Sequence, residues 1–291
     1  MASIQSLIYY QYKKNIHRKG KVRGNAREAV PPESLYKKHV TEARLVEGRP
    51  VYCIDFHKTG ELPCILYVHG GSFSKGLRKK DWKLLSALLK STGCPVAALD
   101  FPLIPEHSCK GILSWCMEAL TALSPECPRG FLLMGDSAGA SIAMAMARQA
   151  KEMGLSLPSA ILLLCPFLDA TGNNPAKNVL APRDPVLDQD KGRETALLYA
   201  GSLPLEDPRV SPVFGDMKGL PRVYAWTGDN DILYADALLL KEKLRDAHVP
   251  YHIYVYPGMT HNWMYECLPE ARTALRQIIS EVRNLADFPG K

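Results

Sequence analysis

The sequence of 291 residues lacks any run near the roughly 18 consecutive apolar residues that a membrane-spanning helix requires. It has no internal repeat and no low-complexity tract. The start, MASIQSLIYYQYKKN, has neither a charged segment before an apolar stretch nor a small-residue cleavage site, which predicts no signal peptide. These absences favour a protein with no stable membrane insertion.

Excess charge is also scarce. The net charge is +6, and much of the excess lies in residues 13–23, KKNIHRKGKVR. We interpret this segment as a solvated basic helix face or loop. Contact with a membrane surface or with nucleic acid is the less favoured alternative, because no aromatic-plus-basic motif accompanies the charges. We therefore expect no nucleic-acid partner.

Paired cysteines are missing as well. None of the eight cysteines forms a C-x-x-C pair, so no zinc site is predicted. Several lie inside apolar runs, such as ILLLCPF around Cys165, where a free thiol acts as a small hydrophobic side chain. Free thiols favour a reducing compartment, and we expect the protein to be cytoplasmic.

What the chain does contain is short apolar runs alternating with helical patterns. Six runs predict buried strands, beginning at Cys64, Pro95, Gly130, Ala160, Arg222 and Tyr251. Five patterns predict helices, at 81–91, 111–123, 137–153, 234–247 and 269–286. This alternation implies a mostly parallel sheet with helices on both faces. Two earlier segments, EARLVEGR and VYCIDFHK, predict a hairpin at the sheet edge.

Ser137 stands between two glycines in FLLMGDSAGASIAMA, at the junction of a predicted strand and a predicted helix. G-x-S-x-G alone is weak evidence, but this context is that of a nucleophile elbow. The glycines permit a tight turn and close backbone approach, and the helix N-terminus presents free N–H groups. Ser137 is a candidate nucleophile; the alternative is a glycine-cornered turn whose serine has no chemical role.

A glycine-rich turn also ends an earlier predicted strand, in LYVHGGSFSKG, where His69 is followed by Gly70, Gly71 and Ser72. The backbone N–H groups of such a loop can bind a developing oxyanion, and glycine leaves room for the substrate carbonyl. The alternative is a simple strand-to-loop turn.

A serine nucleophile needs a base and an orienting acid. His261 lies just past the last predicted strand, in a loop that Gly258 opens. Asp229, Asp231 and Asp236 follow the penultimate strand, and Asp236 is the weakest candidate because it falls within the next helix. Six further histidines are predicted to lie at the surface or to be structural: His17, His39, His57, His107, His248 and His252.

Together these motifs resemble the hormone-sensitive-lipase-like branch of the α/β-hydrolases, often called bacterial esterase family IV, from His69 to Trp263. HGGSF resembles the family's H-G-G-G-[FW] loop, LDFPLIPEH its D-Y-R-L-A-P-E-H segment, and GDSAG matches its elbow letter for letter. DPVLD resembles its D-P-x-L pattern, and RVSPVFGDMKGLP its S-P-then-L-P stretch. GDNDIL resembles its G-x-x-D-x-L loop and selects Asp231 over Asp229; GMTHNW resembles G-x-x-H-x-F and selects His261.

The resemblance implies an α/β-hydrolase fold, with a mostly parallel central sheet, helices on both faces and a helical cap. We expect residues 1–291 to form one domain. Residues 1–40 and 168–220 suit the cap, since both interrupt the alternation and the second is too long for an ordinary connection.

The resemblance further implies a serine carboxylic-ester hydrolase. Ser137 would attack the ester carbonyl and form an acyl-enzyme, His261 would take and return the proton, and Asp231 would hold the imidazole tautomer. We expect short-to-medium acyl esters, because little sequence remains for a long lipid tunnel. The partner is then a small-molecule ester; no cofactor and no metal are required, and a homodimer is left open.

For the oxyanion, the resemblance implies backbone N–H groups of Gly71, Ser72 and Ala138, with Gly70 shaping the loop. Two departures from the family pattern stand out. Ser72 replaces the third glycine of the loop, and the D-Y-R start has become Asp-Phe-Pro at residues 100–102. The lost arginine predicts a rearranged local ion-pair network.

Two alternatives stay open. The same triad would serve a lactone hydrolase or an acetyl-ester deacylase of a small metabolite. A different class, a non-catalytic small-molecule receptor on the same fold, is less favoured because such receptors replace the histidine that is present here as His261.

Overall fold

The computed structural model describes residues 2–18 and 30–287. A sheet of eight strands runs through it. The strands are β1 (Thr41–Val46), β2 (Arg49–Ile54), β3 (Cys64–Val68), β4 (Val96–Leu99), β5 (Phe131–Asp136), β6 (Ala160–Leu164), β7 (Arg222–Gly228) and β8 (Tyr251–Tyr256). The helices are α1 (Ile4–Arg18), α2 (Glu33–Tyr36), α3 (Lys79–Thr92), α4 (Cys109–Leu123), α5 (Ala138–Glu152), α6 (Ala176–Leu180), α7 (Gln189–Ala200), α8 (Tyr234–Asp246) and α9 (Pro269–Asp287).

The strand order is β1-β2-β4-β3-β5-β6-β7-β8. From β4 to β8 all neighbouring strands are parallel, whereas β1 and β2 form an antiparallel hairpin and β2 pairs antiparallel with β4. The predicted mostly parallel sheet with an edge hairpin is confirmed. Because β3 pairs directly with β5, the loops that follow these two strands leave the sheet side by side.

The sheet is apolar on both faces because helices cover both. Along β5, Phe131 and Leu133 pack into one core with α4 and α5, while Leu132 and Met134 pack into the opposite core with α3 and α9. Side chains of a strand alternate between faces, so a strand buried on both faces is apolar throughout. This explains the continuous apolar runs in the sequence.

The N-terminal helix α1 docks near the C-terminal helix α9. The backbone N–H of Ser3 and the hydroxyl of Ser6 both donate to the Glu270 carboxylate, at 2.5 Å. The Tyr10 hydroxyl donates to the carbonyl oxygen of Arg183 at 3.0 Å, so α1 also touches the segment 168–220. Of the basic stretch 13–23, residues 19–23 lie outside the described residues.

The segment 168–220 connects the adjacent parallel strands β6 and β7 and contains α6 and α7. Tyr199 of α7 stacks on Phe73, which follows the glycine turn after β3. Assignment of 1–40 and 168–220 as a cap stays a prediction. None of the helices in the described part of the chain has the length and apolar character that crossing a membrane demands.

Candidate active site

Ser137 occupies the sharp turn between β5 and α5, with φ 53° and ψ −119°. This left-handed region is costly for any residue with a side chain. The two flanking glycines are required by space: a Cβ on Gly135 would lie 2.4 Å from the carbonyl oxygen of Gly139, and one on Gly139 would lie 2.1 Å from that of Val68. The turn therefore has the geometry of a nucleophile elbow.

A continuous chain of hydrogen bonds joins Ser137, His261 and Asp231. The Ser137 Oγ lies 2.9 Å from Nε2 of His261, and Nδ1 of the same ring lies 2.8 Å from Oδ2 of Asp231. Asp231 is fully buried, while 9% of Ser137 and 6% of His261 remain exposed. With the ring proton on Nδ1 and donated to Asp231, Nε2 is the acceptor that faces the serine hydroxyl.

Two short loops present the acid and the base. Asp231 follows β7, and its Oδ1 accepts the N–H of Leu233 at 2.9 Å, which fixes the carboxylate plane. His261 follows β8 in a loop tied to the acid loop, because the Asp229 carboxylate accepts the N–H of Gly258 at 2.6 Å. Asp231 therefore contacts the histidine ring, whereas Asp229 contacts the backbone of the loop that carries it.

The predicted oxyanion loop lies beside the elbow. The Gly70 N–H donates to Asp136 at 2.6 Å and so holds the loop in place. Gly71 has φ +118° and Ser72 has φ 54°. Among the described residues, the backbone N–H groups of Gly71, Ser72 and Ala138 have no protein acceptor. These three donors are available to a ligand, whereas the Gly70 donor is not.

A buried ion-pair network supports this loop, and sequence reasoning missed most of it. Asp136, a letter of the GDSAG motif, accepts from Arg78 at 3.0 Å and from the Tyr67 hydroxyl at 2.7 Å. Arg78 also donates to Asp81. Burial would raise the pKa of Asp136, but the cations Arg78 and Lys80 outweigh burial and lower it to about 2. Nothing local in the sequence marks Arg78 as the partner.

Arg49 supplies an ion pair at the altered D-Y-R start, residues 100–102. Arg49, at the start of β2, places a guanidinium nitrogen 3.6 Å from Oδ2 of Asp100 and donates from Nε to the carbonyl oxygen of the same residue at 2.9 Å. His69 stacks on Phe101 with ring centroids 4.1 Å apart. Burial lowers the pKa of His69 to about 4, so this histidine is neutral at pH 7.

The remaining acidic candidate, Asp236, lies outside the hydrogen-bond chain. It is buried, pairs with Lys177 at 2.8 Å, and accepts the N–H groups of Leu168 and Asp169. It therefore fastens the start of the segment 168–220 to α8.

A second carboxylate beside the acid loop, Asp184 of the DPVLD motif, was not predicted as a site residue. It accepts the N–H of Ile232 at 2.9 Å and those of Val186 and Leu187. Burial and the charge of Asp231 raise its pKa to about 6.

Among the described side chains, none of the other predicted surface histidines hydrogen-bonds to Ser137. His39 pairs with Asp55 at 2.9 Å, and His252 on β8 stacks on Tyr224 and Tyr254. His57, His107, His248 and His252 are exposed. The side chain of His17 lies outside the described part of the structure.

The chain is similar to known proteins in both sequence and structure. A sequence model of the α/β-hydrolase fold family matches residues 65–265. An esterase of Acinetobacter venetianus is 31% identical over 74% of this chain and 72% of its own length. An acetyl-hydrolase of Streptomyces hygroscopicus is 31% identical over 72% of each chain.

Among solved structures, a hormone-sensitive lipase from a metagenome library aligns with a TM-score of 0.84 and 25% identity, covering 98% of this chain and 99% of that one. The chain belongs to the α/β-hydrolase fold family, in its hormone-sensitive-lipase-like branch.

Proposed function

We propose that this protein hydrolyses short-to-medium acyl esters through an acyl-enzyme, with Ser137 as nucleophile, His261 as general base and acid, and Asp231 as the orienting acid. The protein is an ester hydrolase of the α/β-hydrolase family. The observation that carries the finer proposal is the unbroken hydrogen-bond chain from the Ser137 hydroxyl to the Asp231 carboxylate.

In the first half of the reaction His261 accepts the Ser137 proton as Oγ attacks the ester carbonyl. Negative charge develops on the carbonyl oxygen, and the free N–H groups of Gly71, Ser72 and Ala138 are the donors proposed to bind it. The imidazolium then gives its proton to the leaving alcohol, and Asp231 stabilises the imidazolium meanwhile. In the second half, water attacks the acyl-enzyme with His261 again as base.

The acyl-chain range is inferred from an aromatic cluster formed by the buried Phe73 and Tyr199 and the half-buried Phe167. The Phe73 and Tyr199 rings stack with centroids 3.6 Å apart, and Phe167 meets Phe73 edge-on at 6.0 Å. Phe167 is next to the nucleophile, since its N–H donates to the Ser137 carbonyl oxygen at 3.2 Å. We infer that this cluster borders the acyl site and favours short acyl groups over long ones.

An acetyl-ester deacylase of a small metabolite is the second candidate. It is favoured by the acetyl-hydrolase of Streptomyces hygroscopicus, which matches 72% of this chain. A series of p-nitrophenyl esters, tested beside lactones and acetylated metabolites, separates the candidates. A strong preference for acetyl groups would select the deacylase, and efficient cleavage of long-chain triglyceride emulsions would contradict both.

The nucleophile itself is tested with Ser137→Ala. Removal of a triad serine costs on the order of 10⁶ in kcat, so turnover should fall to near background while the fold is retained. A serine-directed phosphonate should label Ser137 in the wild-type enzyme, located by mass spectrometry. A label on another residue, or residual turnover within tenfold of wild type, would overturn the assignment.

A further inference from the structure

Cys165 is the first residue after β6 and is fully buried. Its φ of 44° lies in the left-handed region, which costs an L-residue about 1–2 kcal/mol. The backbone is held there from both sides: the Cys165 N–H donates to Trp226 of β7 at 2.8 Å, and the preceding residue, Leu164, accepts the N–H of Ser137 at 2.8 Å. A strained residue fixed beside the elbow is a reason to look for a role in the site.

The thiol of Cys165 faces the acid–base pair. Its sulfur, a carboxylate oxygen of Asp231 and a ring nitrogen of His261 lie within 4.8 Å of one another. The sulfur also accepts the backbone N–H of Asn262, the residue after His261, at 3.4 Å. One side chain therefore touches the loop that carries the base and faces the carboxylate that orients it.

The surroundings of the Cys165 thiol favour its protonated form. Burial raises the pKa of Cys165 well above its usual value, and the charge of Asp231 raises it further. A buried S–H beside a carboxylate is a weak hydrogen-bond donor rather than a nucleophile or an inert hydrophobic group. The sequence-based interpretation of Cys165 as a small hydrophobic side chain is therefore incomplete.

We propose that Cys165 is a positioning residue: its S–H stabilises the Asp231 carboxylate, and its sulfur holds the backbone that follows His261. The inference rests on the proposed function, because positioning this pair matters only if it acts in catalysis. Without the S–H, more of the negative charge of Asp231 is directed at the imidazole, which favours the imidazolium. Without the sulfur, the Asn262 N–H loses its acceptor and the ring is free to shift.

Other charged groups near the cluster have to be held constant in any pH experiment. Asp184 lies beside Asp231 and has a pKa of about 6, so it titrates in the range of interest. Asp136, whose charge also acts on Cys165, has a pKa of about 2 and stays ionised. Asp229 is engaged with the Gly258 N–H. Comparing variants at position 165 alone leaves all of these groups unchanged.

The experiment compares Cys165→Ala, Cys165→Ser and a matched control, Cys116→Ala, in which an equally buried cysteine of α4 is removed. We expect Cys165→Ala to lower kcat about 10- to 100-fold, as small misplacements of reacting groups do, with KM for a short p-nitrophenyl ester changed less than twofold. The acidic limb of the pH profile of kcat/KM should move to higher pH. Cys165→Ser keeps a hydrogen-bond donor and an acceptor, so its kcat and its acidic limb should match those of the wild type. Cys116→Ala should change only the melting temperature.

Wild-type kcat with an unmoved acidic limb in Cys165→Ala would overturn the proposal. So would equal losses in the alanine and serine variants with an unmoved limb, because that result describes a packing defect. If the alanine variant does not fold, Cys165→Gly replaces it, since glycine adopts φ 44° without strain. Ser137→Ala, measured in parallel, separates the two proposals. Full turnover in Ser137→Ala would contradict the proposed function. Loss of turnover in Ser137→Ala with unaffected kinetics in Cys165→Ala would contradict only the positioning role of Cys165.

Discussion

Asp229 and Asp231 are two residues apart on one loop and serve different partners. Asp231 is fully buried and points at Nδ1 of His261, whereas the Asp229 carboxylate is partly exposed and accepts a backbone N–H from Gly258. One carboxylate fixes the ring, and the other fixes the loop that carries the ring. At the residue scale the difference is one of partner rather than of side-chain chemistry.

We therefore expect Asp231→Asn to lower kcat by roughly 10⁴, because an amide favours the wrong histidine tautomer. Asp229→Asn retains an oxygen that accepts the Gly258 N–H and should cost less than about tenfold, since uncharged acceptors still make this bond. Steady-state kinetics on one short ester would check both. Equal losses, or the reverse order, would show that the acid has been misassigned.

At the scale of elements, the loop after β3 is rigid at Gly70 and exposed at Ser72, the residue that replaces the third glycine of the family's loop. Gly70 admits no side chain, because a Cβ there would lie 2.5 Å from the Asp136 carboxylate. Ser72 is exposed, has φ 54°, and its hydroxyl has no hydrogen-bond partner within the described chain. The arrangement is consistent with a backbone-only contribution from Ser72.

Ser72→Gly should then preserve kcat on a short ester. It should also raise the free energy of unfolding by roughly 0.5 kcal/mol, since relief at positive φ exceeds the entropic cost of glycine. Ser74→Gly is the matched control on the same loop, and it should destabilise the protein because Ser74 is not at positive φ. If the Ser72 hydroxyl itself binds the oxyanion, Ser72→Gly would instead cost roughly 2.7–4 kcal/mol in the barrier.

The contact between α7 and this loop is the feature proposed to limit the acyl range. Truncating the buried Tyr199 to alanine removes the ring that stacks on Phe73. The kcat/KM ratio for an octanoyl over an acetyl p-nitrophenyl ester should rise about tenfold or more, since each accommodated methylene contributes roughly 1 kcal/mol or more. Tyr199→Phe keeps the ring and should leave the ratio unchanged. An unchanged ratio in the alanine variant would show that the aromatic cluster does not limit the acyl-chain length.

At the scale of the whole molecule, buried titratable groups link stability to pH. Burial lowers the pKa of His69 from 6.5 to about 4, so folding favours its neutral form. The stability that this group contributes is fully present above pH 6.5 and is lost as pH falls toward 4. Asp184 acts in the opposite sense: its raised pKa of about 6 contributes stability that is present below pH 4 and lost as pH rises through 6.

His69→Gln isolates the first of these contributions. Between pH 7 and pH 4.5 the wild-type protein should lose about 2 kcal/mol more of its free energy of unfolding than the variant does, given a shift of this size. Urea unfolding at the two pH values measures the difference, and titrating groups that do not interact with His69 cancel in the comparison. Identical pH slopes in the two proteins would show that His69 titrates normally in the folded state.

The sequence by itself predicted the strands of the sheet, five of the helices and the candidate catalytic residues. Strands buried on both faces are mostly apolar, so β3 to β7 stand out as apolar runs, and the predicted start of β7 at Arg222 is its observed start. Tight turns require glycine, and the glycines in the sequence therefore predicted the turn at Ser137 and the loop after β3. The order of serine, acid and histidine along the chain left three acids open, Asp229, Asp231 and Asp236, and the resemblance to the family motifs then selected Asp231 and His261.

Only the tertiary structure decided which of these patterns meet. β4 lies between β3 and β5 in the chain but not in the sheet, and the crossover is what brings the loop after β3 beside Ser137. The pairing of Arg78 with Asp136, the closeness of Asp184 to Asp231 and the thiol of Cys165 facing the acid–base pair leave no local mark. Each joins residues far apart in sequence, and their contact depends on strand order and burial, which arise only when the whole sheet is assembled.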